Sequence, residues 1–238
     1  MGRVDADVGE EGGHRRDSRT MLAVIGGGYF GSYHTRQLLK AVGKGRLAGQ
    51  TLLVVDRDPG CAARHEFAGI PGVRLVTADW LDFLRELLAS GSSSDYLIPA
   101  PLAPHLLWEW LAGELAAIRL DPPRGWGLPY EQPGSGRELY LSAAGWTCPA
   151  TCVEPAHCPV LHAPRDWDLA DIITDRALLL GYEPVVFRCL HLANGVGGIG
   201  VGEILEVVPR AASAERVLVA TSSRCHAAVG ALQPKASR

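Results

Sequence analysis

Three glycines, Gly26, Gly28 and Gly31, form a G-x-G-x-x-G pattern between two segments of different character. The apolar run 21–25 before them predicts a strand, and the mixed segment 29–40 after them predicts a helix. In such a turn the first glycine permits the bend, the second lets a pyrophosphate reach the backbone, and the third lets helix and strand pack closely. The N–H groups and dipole at the helix N-terminus also favour phosphate. The residues expected at a bound dinucleotide are Gly26, Gly28, Tyr29, Phe30 and Gly31.

An acidic residue ends the second predicted strand, 51–56. Asp56 is placed to hydrogen-bond the adenosine ribose hydroxyls, and Arg57 beside it would tolerate a 2′-phosphate. The cofactor is therefore NAD or NADP. The interval from the glycines exceeds the usual roughly 20 residues because of a polar insert at 43–49. The alternative is a sheet of the same type that has lost its nucleotide.

Cysteines cluster in a loop rich in proline, at 146–165. Cys148, Cys152 and Cys158, with His162 or the neighbouring His157, offer the four sulfur and nitrogen ligands that zinc prefers. An iron–sulfur cluster would need a fourth thiolate, for which Cys189 and Cys225 are the candidates. The C-x3-C-x5-C spacing matches no common zinc or ferredoxin pattern. We expect a zinc site at Cys148, Cys152, Cys158 and His162, with an iron–sulfur cluster or unliganded redox cysteines as alternatives.

Three residues are candidates for catalysis. Cys225 follows a predicted strand and adjoins Arg224, which would favour a reactive thiolate, although a small buried residue is the alternative reading. His105 and Glu131 are candidate general acids. The glycine-rich segment 194–200 lacks the dinucleotide register and is interpreted as a flexible turn.

The composition excludes several classes of protein. With 238 residues, 47% of them apolar, the chain can bury a large core, and its net charge of −3 gives no basic surface for nucleic acid. No apolar run approaches the roughly 20 residues needed to span a bilayer. Residues 1–20 are charged and glycine-rich, so we expect a disordered tail rather than a secretory signal. We expect a cytoplasmic protein whose partners are a dinucleotide and a small-molecule substrate, with no nucleic acid and no membrane; a homo-oligomer is left open.

Strand and helix patterns alternate along the chain. They predict an α/β fold with a Rossmann-type, doubly wound, mostly parallel sheet over 21–125, and a further α/β part over 126–238 that contains the cysteine loop. Segment 121–137 is expected to be irregular. The other predicted helices are 61–67, 80–89, 102–117, 169–180 and 201–208, and the other predicted strands are 73–77, 96–98, 138–142, 184–190 and, as the last one, 217–221.

The first half resembles the N-terminal domain of the Gfo/Idh/MocA oxidoreductases. Residues 26–34 are similar to that family's G-x-G-x-x-G-x-x-H, and residues 95–105 are similar to its strand that ends in a proline-containing turn and a histidine. The likeness covers about 21–117 and implies a dinucleotide-binding fold. Family members continue with a Glu-Lys-Pro motif whose lysine is catalytic. The nearest match is 131–133, where Gln132 stands in place of the lysine.

Two functions follow from these patterns. The first is a nicotinamide-dependent oxidoreductase acting on a small molecule, in which the cofactor supplies the hydride chemistry. The second is a non-catalytic nucleotide-binding sensor or accessory subunit with a structural metal site. The missing lysine, and the few residues left for a large substrate domain, favour the second.

Overall fold

A parallel four-stranded unit forms the first half of the molecule. The computed structural model describes residues 20–47, 50–99 and 105–235. The strands of this unit are β1 (Met21–Ile25), β2 (Thr51–Asp56), β3 (Val73–Thr77) and β4 (Tyr96–Pro99), and its helices are α1 (Tyr29–Gly43), α2 (Ala62–Phe67) and α3 (Trp80–Ser90). The strand order is β3-β2-β1-β4, with all three pairings parallel. The predicted strands and helices of this half are confirmed, and the predicted tail lies outside the described residues except for Thr20.

Burial and capping explain these elements. In β1 and β2 the apolar side chains are buried on both faces, as expected when helices cover a parallel sheet. Asp79 caps α3 by accepting hydrogen bonds from the N–H groups of Leu81 and Asp82. By contrast, α1 begins at Gly28 with no side-chain cap. The carboxyl ends of β1 and β4, which are neighbours in the sheet, therefore open beside an uncapped helix.

Two strands from later in the chain complete the first sheet. They are β11 (Leu190–Ala193) and β12 (Val196–Gly200), and β12 pairs antiparallel with β4 through Ile199 and Leu97. The interpretation of 194–200 as a flexible turn is therefore wrong. Its glycines make Val196–Gly200 look like a loop, yet the space at Gly198 is tight, since an added Cβ would lie 2.6 Å from Leu192 Cδ1 and 3.3 Å from Ile98 Cγ1. The strand predicted at 184–190 ends at Arg188, and Leu190 belongs to a different sheet.

A second sheet has six strands and is mainly antiparallel. Its strands are β5 (Ile118–Leu120), β6 (Tyr130–Pro133), β7 (Leu139–Ser142), β10 (Glu183–Arg188), β13 (Val217–Ser222) and β14 (His226–Gln233). The order is β10-β13-β14-β7-β6, with β5 also paired to β14. Within the described residues only β10 and β13 pair in parallel here. The molecule is thus mixed α/β, with one mainly parallel and one mainly antiparallel sheet.

The second sheet corrects three predictions. Segment 121–137 is not wholly irregular, because Tyr130–Pro133 pairs with β7. The strand at Val217–Ser222 is not the last, since β14 follows after a turn of three residues. The residues after the first half also suffice for a six-stranded sheet. Small residues such as Ala227, Ala228 and Gly230 hide β14, because they lack the bulky β-branched pattern of a strand.

Helices and short strands complete the fold. These are α4 (Leu106–Glu114), α5 (Leu169–Leu179), α6 (Val201–Glu206), α7 (Val208–Ala212) and the paired two-residue strands β8 (His157–Cys158) and β9 (Ala163–Pro164). The start of the helix predicted at 102–117 lies outside the described residues. One buried cluster joins Leu97 of the first sheet to Leu107 and Trp108 of α4 and to Leu232 of the second sheet. The two sheets therefore share a core, with α4 between them.

In the part of the chain that the structure describes, every helix is too short or too polar to traverse a lipid bilayer.

Candidate functional site

The glycine turn has the geometry that close packing of β1 and α1 demands. Gly26 has φ of +95°, a conformation that favours glycine, and its N–H donates to the Val55 carbonyl at 2.8 Å. A Cβ at Gly31 would overlap the carbonyl oxygen of Gly26, so only glycine fits there. A Cβ at Gly28 would meet nothing within 4 Å. The turn is therefore closed on its inner side and open on its outer side.

Free backbone donors surround the open side of this turn. The first helical bond of α1 runs from the Ser32 N–H to the Gly28 carbonyl at 2.9 Å. The N–H groups of residues 28–31 precede it and find no acceptor among the described residues. Tyr29 is 77% exposed and Phe30 40% exposed, so both side chains leave the backbone accessible. The helix start can receive an anion directly on its N–H groups.

Asp56 connects the second strand to the same turn. Its Oδ2 accepts from the Gly27 N–H at 2.6 Å, and its Oδ1 accepts from the Asp58 N–H at 2.9 Å. A carboxylate offers about four acceptor positions, so further donors can still bind. Arg57 turns away from this carboxylate and stacks on Trp80, with its guanidinium carbon 5.1 Å from the ring centroid.

A cavity of about 330 Å³ lies next to Asp56 at the carboxyl ends of β2 and β3. Arg57, Trp80 and Glu109 line it, together with His105, the candidate general acid. The His105 Nδ1 is buried and has no partner among the described residues. This histidine adjoins Arg57 and does not line the larger cavity described next.

A cavity of about 540 Å³ lies beyond the end of β4. Pro99 forms one side of it, and the second sheet contributes Tyr130, Tyr140 and Thr221. Trp146 and His226 close the side that faces the cysteine loop. Its walls are mainly apolar with a few polar groups, which is typical of a small-molecule site.

A third cavity, of about 280 Å³, separates that chamber from the cysteine loop and shares Pro99, Cys189, Ser223 and His226 with it. Its other chemically active lining residues are His34, Cys148, Cys152, Glu154 and His191. Burial lowers the pKa of His34 to about 4 and also lowers the pKa of His191 and of His226. Burial raises the pKa of Cys189 to about 12. At neutral pH the His34 imidazole is uncharged and the Cys189 thiol is protonated.

The cysteine loop packs against the first sheet rather than extending into solvent. The Tyr33 hydroxyl on α1 donates to the Ala150 carbonyl at 3.2 Å. Gly195, in the β11–β12 turn, has φ of +68° and lies so close to the same carbonyl that a Cβ would overlap it. These contacts hold the loop beside the cavity of 280 Å³.

Four of the six cysteines interact electrostatically: Cys148 with Cys152, Cys158 and Cys225. Burial and the neighbouring Cys152 and Cys158 raise the pKa of Cys148, and burial, together with Cys148 and Glu154, raises the pKa of Cys225. The backbone N–H groups of Leu161 and Val160 lower the pKa of Cys158. All six cysteines are free thiols. The raised pKa of Cys225 argues against the activated nucleophile expected from its neighbour Arg224.

The structure gives little support to the predicted site for a single zinc ion. Within residues 20–47, 50–99 and 105–235 there is no group of three or more His, Cys, Asp or Glu residues placed to hold one metal ion. His157 and His162 are both exposed, and His162 has φ of +51° with its N–H bonded to the Cys158 carbonyl. Zinc bound by Cys148, Cys152, Cys158 and His162 stays a prediction.

Glu131, the other candidate acid, holds a turn. Its two carboxylate oxygens accept from the N–H groups of Gly125 and Trp126 at 2.9 and 2.8 Å. It lies on β6 beside Gln132, which pairs with Tyr140 of β7. Neither Glu131 nor Gln132 lines the large chamber.

Glu154 is the residue that sequence reasoning missed. It has φ of +49°, and its carboxylate accepts from the Ser223 hydroxyl at 2.7 Å, from the Arg224 N–H at 2.7 Å and from the Cys225 N–H at 3.3 Å. Its own N–H donates to Cys152 Sγ at 3.3 Å. The one signal in the sequence is its position as the only acid between Cys148 and Cys158.

Two comparisons with known proteins bear on the chain. A family model, AF_1314_C, described as "Uncharacterized protein, C-terminal domain", matches residues 103–235, which is more than half of the chain. A protein of Archaeoglobus fulgidus described as an uncharacterized protein is 24% identical over 239 residues, covering 90% of this chain and 99% of the relative.

Proposed function

The chain belongs to the AF_1314_C family. From the geometry of its glycine turn we propose that it is an NAD(P)-binding protein that acts as a nicotinamide-dependent oxidoreductase on a small molecule. The family model starts at residue 103, after β4. The proposed nucleotide site, in a sheet of the Rossmann type, precedes the matched region, whereas the cysteine loop and most of the large chamber belong to it. The family-matched part would therefore supply the substrate side of the site.

The observation that carries this proposal is the shape of the turn between β1 and α1. Gly31 leaves no room for a side chain on the inner side, while Gly28 faces open space on the outer side. Four N–H groups, at residues 28–31, have no acceptor in the described part of the chain. A pyrophosphate fits such a turn, because it needs close backbone approach and several N–H donors.

The neighbouring residues fit the rest of a dinucleotide. Asp56 lies one strand away and retains acceptor capacity for ribose hydroxyls. The cavity of about 330 Å³ beyond it, lined by Arg57, Trp80 and His105, has room for an adenine. On the other side of the turn, the end of β4 leads to the chamber of about 540 Å³. Strand order changes direction between β1 and β4, where open sheets bind ligands.

When bound, the nicotinamide would supply hydride transfer, and the chain's own residues would orient the substrate. Tyr130, Tyr140 and Thr221 offer hydroxyl groups to a polar substrate in the chamber. His226, kept uncharged by burial, is a candidate to accept a proton at a ring nitrogen. A protonated lysine, as in the Gfo/Idh/MocA motif, is not required for this arrangement.

Calorimetric titration with NADH and NADPH tests the nucleotide site. Gly28→Leu is expected to lose binding by at least about tenfold, because its side chain would occupy the space of the pyrophosphate. Gly43→Leu is the matched control at the other end of α1, where an added Cβ also meets nothing within 4 Å. The proposal fails if the unaltered protein binds neither nucleotide, or if both variants bind equally well.

A second assay distinguishes the oxidoreductase from the alternative, a non-catalytic nucleotide-binding protein. Anaerobic protein is given NADH and a series of small aldehydes and ketones, each of which takes up one hydride and one solvent proton to become an alcohol. Oxidation of NADH that Gly28→Leu abolishes supports an oxidoreductase. Binding of NADH without any oxidation supports the sensor or accessory subunit.

A further inference from the structure

We propose that Cys148, Cys152, Cys158 and Cys225 hold an iron–sulfur cluster, with Cys225 rather than His162 as the fourth ligand. This inference does not depend on the nucleotide. Four thiolates are the common ligand set of both [2Fe–2S] and [4Fe–4S] clusters. Cys225 lies in the turn between β13 and β14, far along the chain from the other three.

Glu154 brings this distant turn to the cysteine loop. Its backbone N–H donates to Cys152 Sγ at 3.3 Å, and its carboxylate accepts from the Cys225 N–H at 3.3 Å. One residue thus contacts two of the proposed ligands. The Ser223 hydroxyl and Arg224 N–H bind the same carboxylate, which fixes the turn against the loop.

Cys148 is the thiol that interacts electrostatically with the other three, Cys152, Cys158 and Cys225, and no disulfide joins any of them. Cys158 and Cys225 are each only 2% exposed, while Cys148 and Cys152 line the cavity of about 280 Å³. Two of the thiols therefore border space that a cluster can enter, and the other two are shielded from solvent.

Hydrogen-bond donors of the kind that stabilise cluster sulfurs are already in place. The N–H of Glu154 contacts Cys152, and the N–H groups of Leu161 and Val160 act on Cys158. The indoles of Trp146 and Trp167 adjoin Cys148 and Cys225, and stack edge to face at 6.1 Å. Both indole nitrogens are buried without a hydrogen-bond partner among the described residues. Unpaired buried donors beside thiols suit the sulfide ions of a cluster, which accept such bonds.

The spacing favours a cluster over zinc. Zn–S bonds of about 2.3 Å would bring tetrahedral sulfur ligands to about 3.8 Å from one another. The described residues contain no group of His, Cys, Asp and Glu placed to hold a single ion. A cluster of several irons separates its thiolates more widely than one zinc ion does.

The local backbone also suits a cluster. The cysteine loop holds only the two-residue strands β8 and β9, and two residues in it other than glycine have positive φ, Glu154 and His162. Strain of this kind persists where surrounding interactions compensate for it. Bonds from iron to four thiolates would provide that compensation.

The test uses the full chain, purified without oxygen and reconstituted with ferrous iron and sulfide. We expect roughly two to four irons per chain, an equal amount of acid-labile sulfide and a broad visible absorption band that dithionite bleaches. Cys148→Ser, Cys152→Ser, Cys158→Ser and Cys225→Ser should each lose most of the iron and sulfide. His162→Ala should retain both.

Two controls keep the test decisive. Cys189→Ser changes a buried thiol of the same cavity that is not a proposed ligand, and should retain the cluster. Circular dichroism shows whether Cys225→Ser is folded, and if it is not, Cys225→Ala is measured instead. The iron and sulfide content of the wild-type protein tests the presence of a cluster independently of these variants. One zinc per chain without sulfide, a folded Cys225 variant with full iron content, or cluster loss in His162→Ala overturns the proposal.

Discussion

Trp108 and Gly230 are in contact across the junction of the two sheets. The indole on α4 lies so close to β14 that a Cβ added at Gly230 would fall 2.5 Å from Trp108 Cε2. Trp108 is 4% exposed and belongs to the buried cluster that spans both sheets. This contact therefore packs α4 directly against the second sheet.

Gly230→Ala should lower the free energy of unfolding by about 2 kcal/mol, because the indole must move within a packed core. Chemical denaturation measures the change. Gly43→Ala, at the exposed end of α1, should be neutral or slightly stabilising, since its Cβ meets no atom. Equal stability of the two variants would show that α4 does not hold the sheets together in this way.

Asp56 should make the protein prefer NADH over NADPH. Its carboxylate lies at the turn and repels a 2′-phosphate, while Arg57 is occupied by stacking on Trp80. Asp56→Ser should narrow the ratio of the two dissociation constants by about tenfold, measured by titration. Asp58→Ser is the control, because the exposed Asp58 carboxylate accepts a hydrogen bond from the Gly60 N–H. A wild-type protein that binds NADPH more tightly contradicts the prediction.

Glu154→Ala should destabilise the folded chain by about 2–3 kcal/mol, because it removes the charged acceptor that the Ser223 hydroxyl and the Arg224 and Cys225 N–H groups share. Hydrogen exchange should accelerate at residues 223–225. Glu66→Ala removes an exposed ion pair with Arg36 and should cost less than about 1 kcal/mol. Unchanged exchange at 223–225 would mean that the loop and the turn are held by other contacts.

His34 should make stability fall in acid. Its pKa is about 4 in the folded protein because of burial, and 6.5 in the unfolded chain, so the unfolded state binds more protons between these values. The contribution of His34 to the free energy of unfolding is complete above pH 6.5 and is lost as the pH falls towards 4. Between pH 7.5 and 5 this histidine should account for about 2 kcal/mol.

The variant His34→Gln isolates this effect. Urea denaturation of both proteins at the two pH values gives the difference, and the variant should lose about 2 kcal/mol less than the wild type over the same interval. Carboxylates titrate alike in the two proteins and cancel. If both lose the same stability, His34 is accessible to protons in the folded state.

The sequence by itself determined the local features of the first half. Residues 21–99 alternate between apolar runs and amphipathic segments, so strands and helices could be placed from periodicity and capping, and the glycine turn was recognisable because one short segment contains every residue it needs. It also located the cysteine loop, since three thiols lie within eleven residues. The nucleotide and the metal stay predictions, because no pattern names the molecule that fills a site.

Only the tertiary structure decided how distant segments meet. Val196–Gly200 joins the first sheet although its glycines resemble a turn, and His226–Gln233 forms a strand although its residues are small; in each case pairing with a neighbour compensates for weak local propensity. The joining of Cys152 to Cys225 by Glu154 depends on the hydrogen bond from the Cys225 N–H to the Glu154 carboxylate, between residues 71 positions apart. Local sequence carries no signal for such contacts, because they exist only once the two sheets have packed around α4.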